Sequence, residues 1–169
     1  MAITTDAIRE LRDKTGAGIM DCRRALEQAD GDQAKAMQLL QQQGLERMEK
    51  KAGRVARQGV VEAYIHAGGR IGAMVELNCE TDFVARDEGF RQLARELAMQ
   101  IAANPATAFV APEDAPADLP EDEKEQKVLL MQGFIRNERQ SIKDLITERT
   151  ARYGENVRVG RFARFELGA

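Results

Sequence analysis

Two carboxylates, Glu80 and Asp82, stand two residues apart after an apolar run, and they are the best candidates for acid–base chemistry in the chain. Such chemistry needs a nucleophile, a base or a metal beside the carboxylates, and the sequence around them supplies none. It supplies an aromatic residue instead, Phe83. Because the groups that catalysis requires are missing, we predict that the protein is not an enzyme.

The residue sets that hold metals or nucleotides are also missing from the sequence. Cys22 and Cys79 form no CxxC pair, and with one histidine, His66, they complete no zinc site, so we expect packed, reduced thiols. Gly16-Ala17-Gly18 begins like a dinucleotide fingerprint, but Asp21 replaces the third glycine and no strand precedes it. The sequence therefore predicts no cofactor and no metal.

The composition limits the class of partner. The 169 residues are 43% hydrophobic and 31% charged, which suits one domain or a small domain joined to a larger one. No apolar stretch approaches the ~18 residues needed to span a bilayer, and the first residues lack a signal-peptide pattern, so we expect a cytoplasmic protein. A net charge of -3 argues against general nucleic-acid binding. Protein partners are favoured.

Residues 1–45 predict a bundle of three short helices. Thr5 is expected to cap the first helix, Asp32 the third, and Gly44 to end the third. The apolar faces of the three helices comprise Ile8 and Leu11; Ile19, Cys22, Ala25, Leu26 and Ala29; and Ala36, Met37 and Leu40. Residues 46–58 are charged and are predicted to form a linker between this bundle and the core.

Residues 59–169 predict an α+β core. Apolar residues alternate along two runs joined by Gly68-Gly69, which suits a hairpin with a two-residue turn, and the C-terminal run adds a third antiparallel strand with a bulge near Arg161. The alternating residues are Val61, Ala63 and Ile65; Ile71, Ala73, Val75 and Leu77; and Val157, Val159, Ala163 and Phe165. We expect helices to cover this three-stranded antiparallel sheet.

The helices of the core follow from caps and periodicity. Asp87 is expected to cap a helix from Phe90 to Ile101, which precedes an acidic loop that holds all four prolines. A further helix is expected over 123–134, and Ser141 with Asp144 resembles a capping box that opens the last one.

Thr81, Asp82, Phe83 and Val84 fall in the loop between the second strand and the helix capped by Asp87. Two interpretations remain open for this loop. The ring of Phe83 is either a wedge held out for a partner, or it is tucked under the sheet while the carboxylate caps the helix.

Three segments resemble the elongation factor Ts family, and they span most of the chain. They are Asn78–Ala85 (NCETDFVA), Thr15–Leu26 (TGAGIMDCRRAL) and Gly154–Val157 (GENV) followed by Arg161-Phe162. The resemblance implies a ubiquitin-associated-like N-terminal bundle and a guanine-nucleotide exchange factor. Its partner would be elongation factor Tu bound to GDP, from which GDP is released when magnesium and phosphate-loop contacts are disturbed.

The resemblance also implies which residues touch the partner. Phe83 would enter an apolar pocket on the GTPase domain of Tu, with Asp82 holding displaced elements and Thr81 and Val84 beside them. In the N-terminal bundle the matching positions are Arg12, Ile19 and Met20, although core packing explains Ile19 equally well.

Only one copy of the core unit is visible, whereas longer members of the family carry two, so the resemblance allows a homodimer through the core. Gly133 stands where the family commonly has proline, which leaves the local turn open. Two other classes remain as alternatives: an RNA-binding accessory protein that uses the basic linker with Arg158, Arg161 and Arg164, and an enzyme that uses Glu80 and Asp82.

Overall fold

The computed structural model describes residues 3–169, with only the backbone described at residue 45 and at residues 47–52. The chain divides into two compact units, which are treated separately below. The first comprises Met1–Arg54 with Thr147–Glu155, and the second comprises Val55–Ile146 with Asn156–Ala169. Within the described residues, no helix combines the length and the apolar character needed to cross a membrane.

Three helices form most of the first unit, as predicted: α1 (Thr5–Thr15), α2 (Ile19–Gln28) and α3 (Gln33–Ala52). The cap of α1 is Thr4 rather than Thr5, because the hydroxyl of Thr4 accepts a hydrogen bond from the Ala7 N–H at 3.2 Å. Gly16 ends α1 with a φ of 66°, which a glycine adopts without strain. Asp32 caps α3 as expected, accepting hydrogen bonds from the N–H groups of the second and third residues that follow it.

Small and aliphatic side chains from all three helices form the core of this bundle. Its fully buried members are Leu11, Cys22, Ala25, Leu26 and Ala36. Three of them, Cys22, Ala25 and Ala36, have small side chains, so the helices pack closely around a small core. Domains of this size stay marginally stable for that reason.

The expected end of α3 at Gly44 is wrong, since the helix continues eight residues further to Ala52. Gly44 is buried, and a Cβ at this position would lie 3.5 Å from the Thr147 Cγ2 atom. A glycine inside a helix costs only about 1 kcal/mol relative to alanine, so the contacts of α3 with α1 and α2 can outweigh this cost. The first part of the predicted linker, residues 46–52, is consequently helical.

The rest of the chain forms the predicted α+β core together with two short strands that were not predicted. The strands are β1 (Gln58–Ile65), β2 (Ile71–Cys79), β3 (Gly133–Phe134), β4 (Asn137–Ser141) and β5 (Arg158–Glu166). The helices are α4 (Asp82–Arg86), α5 (Glu88–Ala103), α6 (Glu121–Lys127) and α7 (Ile142–Tyr153). The expected helix over 123–134 is wrong, because α6 ends at Lys127 and a 3-10 turn, Leu129–Met131, leads into β3.

The main sheet is antiparallel in the order β1-β2-β5, with β2 in the centre. Helix α5 packs against β1 and β2 and covers one face of the sheet with its buried side chains. The largest of these are Phe90, Leu93, Leu97 and Ile101. The predicted bulge is present: Val159 pairs with Leu77 and Arg161 with Glu76, so Gly160 between them has no partner in the ladder.

The hairpin differs from the prediction in its turn and in the face that β1 buries. Four residues, 67–70, connect the strands, since the His66 N–H bonds the Ile71 carbonyl at 2.8 Å. In β1 the apolar residues Val61 and Ile65 point to the uncovered face, whereas Glu62 is buried under α5. The carboxylate of Glu62 is neutralised there by Arg91 and Arg95, at 3.2 and 3.5 Å. The alternation of apolar residues predicted β1 correctly, but it predicted the wrong face of this strand to be buried.

Two predicted caps in the core are confirmed. The Asp87 carboxylate accepts from the Phe90 N–H at 3.0 Å and so opens α5. Ser141 and Asp144 form the capping box of α7, in which the Ser141 hydroxyl accepts from the Asp144 N–H at 3.0 Å. Gly154 ends that helix with a φ of 70°.

We expect residues 55–169 to fold without the N-terminal bundle, because the buried side chains of α5 and of the sheet lie within the second unit. Deletion of residues 1–54 should leave one cooperative unfolding transition in urea. The loss of helical signal in circular dichroism should be confined to α1–α3 and the end of α7, since Thr147–Glu155 belongs to the first unit. A truncated chain with no cooperative transition would show that the predicted boundary is wrong.

Candidate partner-binding site

Phe83 is the most exposed large apolar residue among the side chains that the structure describes, with 83% of its surface accessible. It is the second residue of α4, a helix of five residues that begins immediately after the chain leaves β2. The segment was expected to be a loop, so its helical form is a correction. The exposure also shows that the interpretation with the ring tucked under the sheet is wrong.

The exposed ring stands on a backbone that is held at both ends of α4. The buried Cys79 thiol donates to the Thr81 carbonyl at 3.1 Å, and the Ala85 N–H bonds the same oxygen at 3.3 Å. At the other end, the Asp87 N–H bonds the Val84 carbonyl at 3.0 Å. Because Asp87 is also the cap of α5, the short helix is joined without a flexible linker to the longest helix of the core.

The side chain of Asp82 is exposed and forms an ion pair with Arg86 at 3.0 Å. The pair spans one turn of α4, and both members are more than half exposed, at 51% and 82%. Such surface pairs contribute about 0–1 kcal/mol to stability and are screened by salt. The carboxylate of Asp82 is therefore available to a partner at little cost to the fold.

Glu80 and Asp82 are engaged by different neighbours. A carboxylate oxygen of Glu80 accepts a hydrogen bond from the backbone N–H of Asn156 at 2.6 Å, whereas Asp82 pairs with Arg86. The bond of Glu80 joins two distant segments of the chain, so this carboxylate has a structural role.

The first unit carries a second group of exposed residues. Ile19 and Met20 open α2 directly after its cap, Gly18, and they are 55% and 61% exposed. Arg12, on the outer side of α1, is exposed as well. The first buried residue of α2 is Cys22, so the interpretation of Ile19 as a core residue is wrong. Two large apolar side chains side by side in water are typical of a surface that contacts another protein.

Neither the cysteines nor other side chains described by the structure make a metal site, since no cluster of three or more His, Cys, Asp or Glu was found among them. Cys22 and Cys79 are free and buried. Burial raises the pKa of the Cys22 thiol, and the side-chain hydrogen bond with Thr15 offsets only part of that rise. A raised pKa keeps this thiol protonated and unreactive near neutral pH.

A third surface was not recognised from the sequence: the uncovered face of the main sheet, here called the open sheet face. It carries large apolar side chains that are between 45% and 66% exposed. These are Val61, Ile65, Met74 and Phe165. The signal was present in β2, whose run 71–75 is apolar at positions of both parities, as in a strand with both faces covered.

A polar row borders the open sheet face. The Glu76 carboxylate accepts hydrogen bonds from the Asn78 side chain at 3.0 Å and from the Arg161 guanidinium at 2.9 Å. These two bonds, the one from Asn78 first, lower the pKa of Glu76. A Cβ at Gly160 would lie 2.5 Å from the Asn78 side-chain oxygen, so the bulge glycine leaves room for this row.

Comparison with known proteins agrees with the motifs. The family model described as elongation factor TS matches residues 25–132. The elongation factor Ts of Carboxydothermus hydrogenoformans is 47% identical, over 98% of this chain and 89% of the relative. That of Thermodesulfovibrio yellowstonii is 46% identical, over 99% and 98%. The chloroplastic elongation factor Ts of Rhodomonas salina is 42% identical, over 98% and 89%.

Substitution of Phe83 by alanine should leave the fold nearly unchanged, because an exposed ring contributes little buried area. We expect the free energy of unfolding to change by no more than about 0.5 kcal/mol. Phe90→Ala is the matched control, since this ring is fully buried and its truncation should cost about 3–5 kcal/mol. Urea unfolding of the two variants checks the comparison, and equal destabilisation would contradict the exposed position of Phe83.

Proposed function

The chain belongs to the elongation factor Ts family, and we propose that it acts as the guanine-nucleotide exchange factor of elongation factor Tu during translation elongation. The observation that supports this function best is the exposed ring of Phe83 on a short helix held at both ends. A soluble protein gains nothing for its own stability from such a ring, so its value lies in a partner.

The physical task of an exchange factor is to bind the nucleotide-free partner more tightly than the GDP-bound partner. The coupling between the two ligands is reciprocal. The ratio by which the exchange factor prefers nucleotide-free Tu over GDP-bound Tu is therefore also the ratio by which it lowers the affinity of Tu for GDP. No covalent step occurs, and therefore no general acid, base or metal of this chain is required. The proposed function agrees with the structural role found for Glu80.

We assign the insertion step to Phe83. Its ring enters an apolar pocket of the GTPase domain of Tu and disturbs the contacts that hold magnesium and the phosphate-binding loop. Burial of an exposed aromatic ring is favourable by about 1.5–3 kcal/mol, which provides part of the differential affinity. Asp82 holds the displaced elements of Tu after it releases Arg86, with Thr81 and Val84 beside it.

The N-terminal bundle, residues 1–45, is proposed as a docking domain for the GTPase domain of Tu. Its contact residues are Arg12, Ile19 and Met20, all of them exposed. Docking of this kind raises the local concentration of the wedge without requiring a large interface around Phe83 itself. The two surfaces lie in different units of the chain, and each is available without unfolding its own unit.

Phe83→Ala should slow GDP release from Tu severely while the variant stays folded. Truncation of an aromatic residue that fills a pocket at an interface costs about 2–4 kcal/mol, which corresponds to a loss of about 30-fold or more in exchange. The measurement is release of fluorescent GDP from Tu after addition of the factor. Asp82→Ala should have a smaller effect in the same direction, because it removes one polar contact.

The matched control for this assay is Leu167→Ala, which removes another exposed apolar side chain of the same unit. It should exchange GDP at the parent rate. A Phe83→Ala protein that also exchanged at the parent rate would refute the wedge, and a factor with no effect on GDP release would refute the proposed function as a whole.

We further propose that two copies of the chain associate through the open sheet face. A row formed by Ile65, Gly72 and Phe165 is apolar, and the row formed by Val61, Glu76 and Arg161 carries both charges. A two-fold axis can therefore place the acid of one copy near the base of the other while the apolar rows are buried. The single core unit visible in the chain is consistent with a second copy of the chain as the partner on this face.

Sedimentation at tens of micromolar should show a species of twice 18.8 kDa. Met74→Lys, in the middle of the open sheet face, should convert it to the monomer, because a buried unpaired charge strongly opposes association. Lys substitution of Val55, which is more exposed than Met74 and lies outside this face, is the control. A parent protein that sediments only as 18.8 kDa would contradict the dimer.

A further inference from the structure

Glu80 connects the segment that carries Phe83 to a distant part of the chain. Its carboxylate oxygen accepts a hydrogen bond from the backbone N–H of Asn156 at 2.6 Å, across 76 residues of sequence. Asn156 is buried and lies between the end of α7 and the start of β5. Both residues belong to the second unit, and the bond joins a half-buried acid to a fixed backbone group.

The position of this bond in the sheet explains its function. The last pair between β2 and β5 is Asn78 with Arg158. Glu80 lies two residues after Asn78, just beyond the end of β2, and Asn156 lies two residues before Arg158. The bond therefore occupies the place of the next ladder pair of the same parity. The backbone of β2 turns away here to begin α4, and the side chain of Glu80 maintains the connection to the sheet.

The direction in which β2 leaves the sheet determines where Phe83 lies. The ring is three residues beyond Glu80 and is 83% exposed, so packing contributes little to its orientation. That orientation comes from the backbone of α4, which is held by the Cys79 thiol on the Thr81 carbonyl and by the bond of Glu80 to Asn156. A charge-assisted hydrogen bond is among the stronger non-covalent restraints available at such a site.

We propose that Glu80 is a positioning residue for nucleotide exchange: its bond to Asn156 fixes the exit of β2 and so pre-organises Phe83 for insertion into the partner. The inference rests on the proposed exchange function and deepens it. A wedge held in one orientation loses less conformational entropy on insertion, so the benefit appears in the step that expels GDP. Glu80 does not contact the nucleotide.

The free protein offers a direct measurement of this restraint, because the sequence contains no tryptophan. Phe83→Trp places a single fluorescent reporter on α4. Addition of Glu80→Ala should lower its fluorescence anisotropy, whereas Glu80→Gln, which retains a side-chain oxygen as acceptor, should leave it near the value of the single variant. Glu80→Asp keeps the charge but loses reach, and should behave like Glu80→Ala. This variant carries the test if the alanine variant does not fold.

Exchange kinetics separate positioning from simple stabilisation. Glu80→Ala should lower the maximal rate of GDP release at saturating factor by about tenfold, with the half-saturating concentration within about twofold of the parent. A residue that only stabilised the fold would reduce the active fraction, which raises the half-saturating concentration and leaves the maximal rate unchanged. In a Phe83→Ala background, Glu80→Ala should have no further effect on the maximal rate, since it acts through that ring.

The control for both measurements is Glu96→Ala. It removes a partly buried carboxylate on α5 that pairs with Arg136 at 3.0 Å. It should change neither the anisotropy nor the maximal rate. Unchanged anisotropy after Glu80→Ala and Glu80→Asp, or an effect that multiplies with that of Phe83→Ala, would overturn the positioning role. If Phe83→Ala exchanged normally, the wedge would fail, and the anisotropy would still decide whether Glu80 orders α4.

Discussion

The fold of the second unit depends on a constraint at one point, where the central strand β2 has to leave the sheet at Cys79 and Glu80. A central strand is hydrogen-bonded on both edges, so its end exposes backbone groups that need new partners. Here side chains supply them: the Cys79 thiol bonds the Thr81 carbonyl, and the Glu80 carboxylate bonds the Asn156 N–H. An exit held by these two bonds allows an exposed phenylalanine to stand beyond it without a loose loop.

The main sheet also explains why the second unit has an exposed apolar surface. Helix α5 covers one face, and the buried Glu62 under it is neutralised by two arginines of that helix. On the other face, Met74 and Phe165 meet water at the centre and the edge of the sheet. A charge lies inside and apolar groups lie outside, the reverse of the usual distribution. The buried charge is tolerated because it is paired, and the proposed association of two copies would bury the apolar face.

The proposed function requires no reactive side chains. An exchange factor works through a difference in binding free energy between two states of its partner, so it needs rigid contact groups rather than reactive ones. Phe83, Ile19 and Met20 provide apolar contact area, and Asp82 provides a carboxylate whose ion pair is weak. The groups that hold these residues in place are buried in the sheet and in the bundle, where substitutions would affect geometry before they affected contacts.

The sequence by itself determined the elements and their caps, because these depend on neighbours a few residues away. Periodicity identified α2 and α5, the capping residues Asp32, Asp87 and Ser141 were recognised correctly, and the motif around Phe83 marked the candidate site. Gly44 was misinterpreted as a helix end, since the contacts that α3 makes with α1 and α2 depend on tertiary packing. Only the tertiary structure decided that β1 buries Glu62 and exposes Val61, because the choice depends on which face α5 covers. It also decided that Glu80 holds Asn156 and that Phe83 points into water, since hydrogen bonds and burial between distant segments leave no periodic signal in the chain.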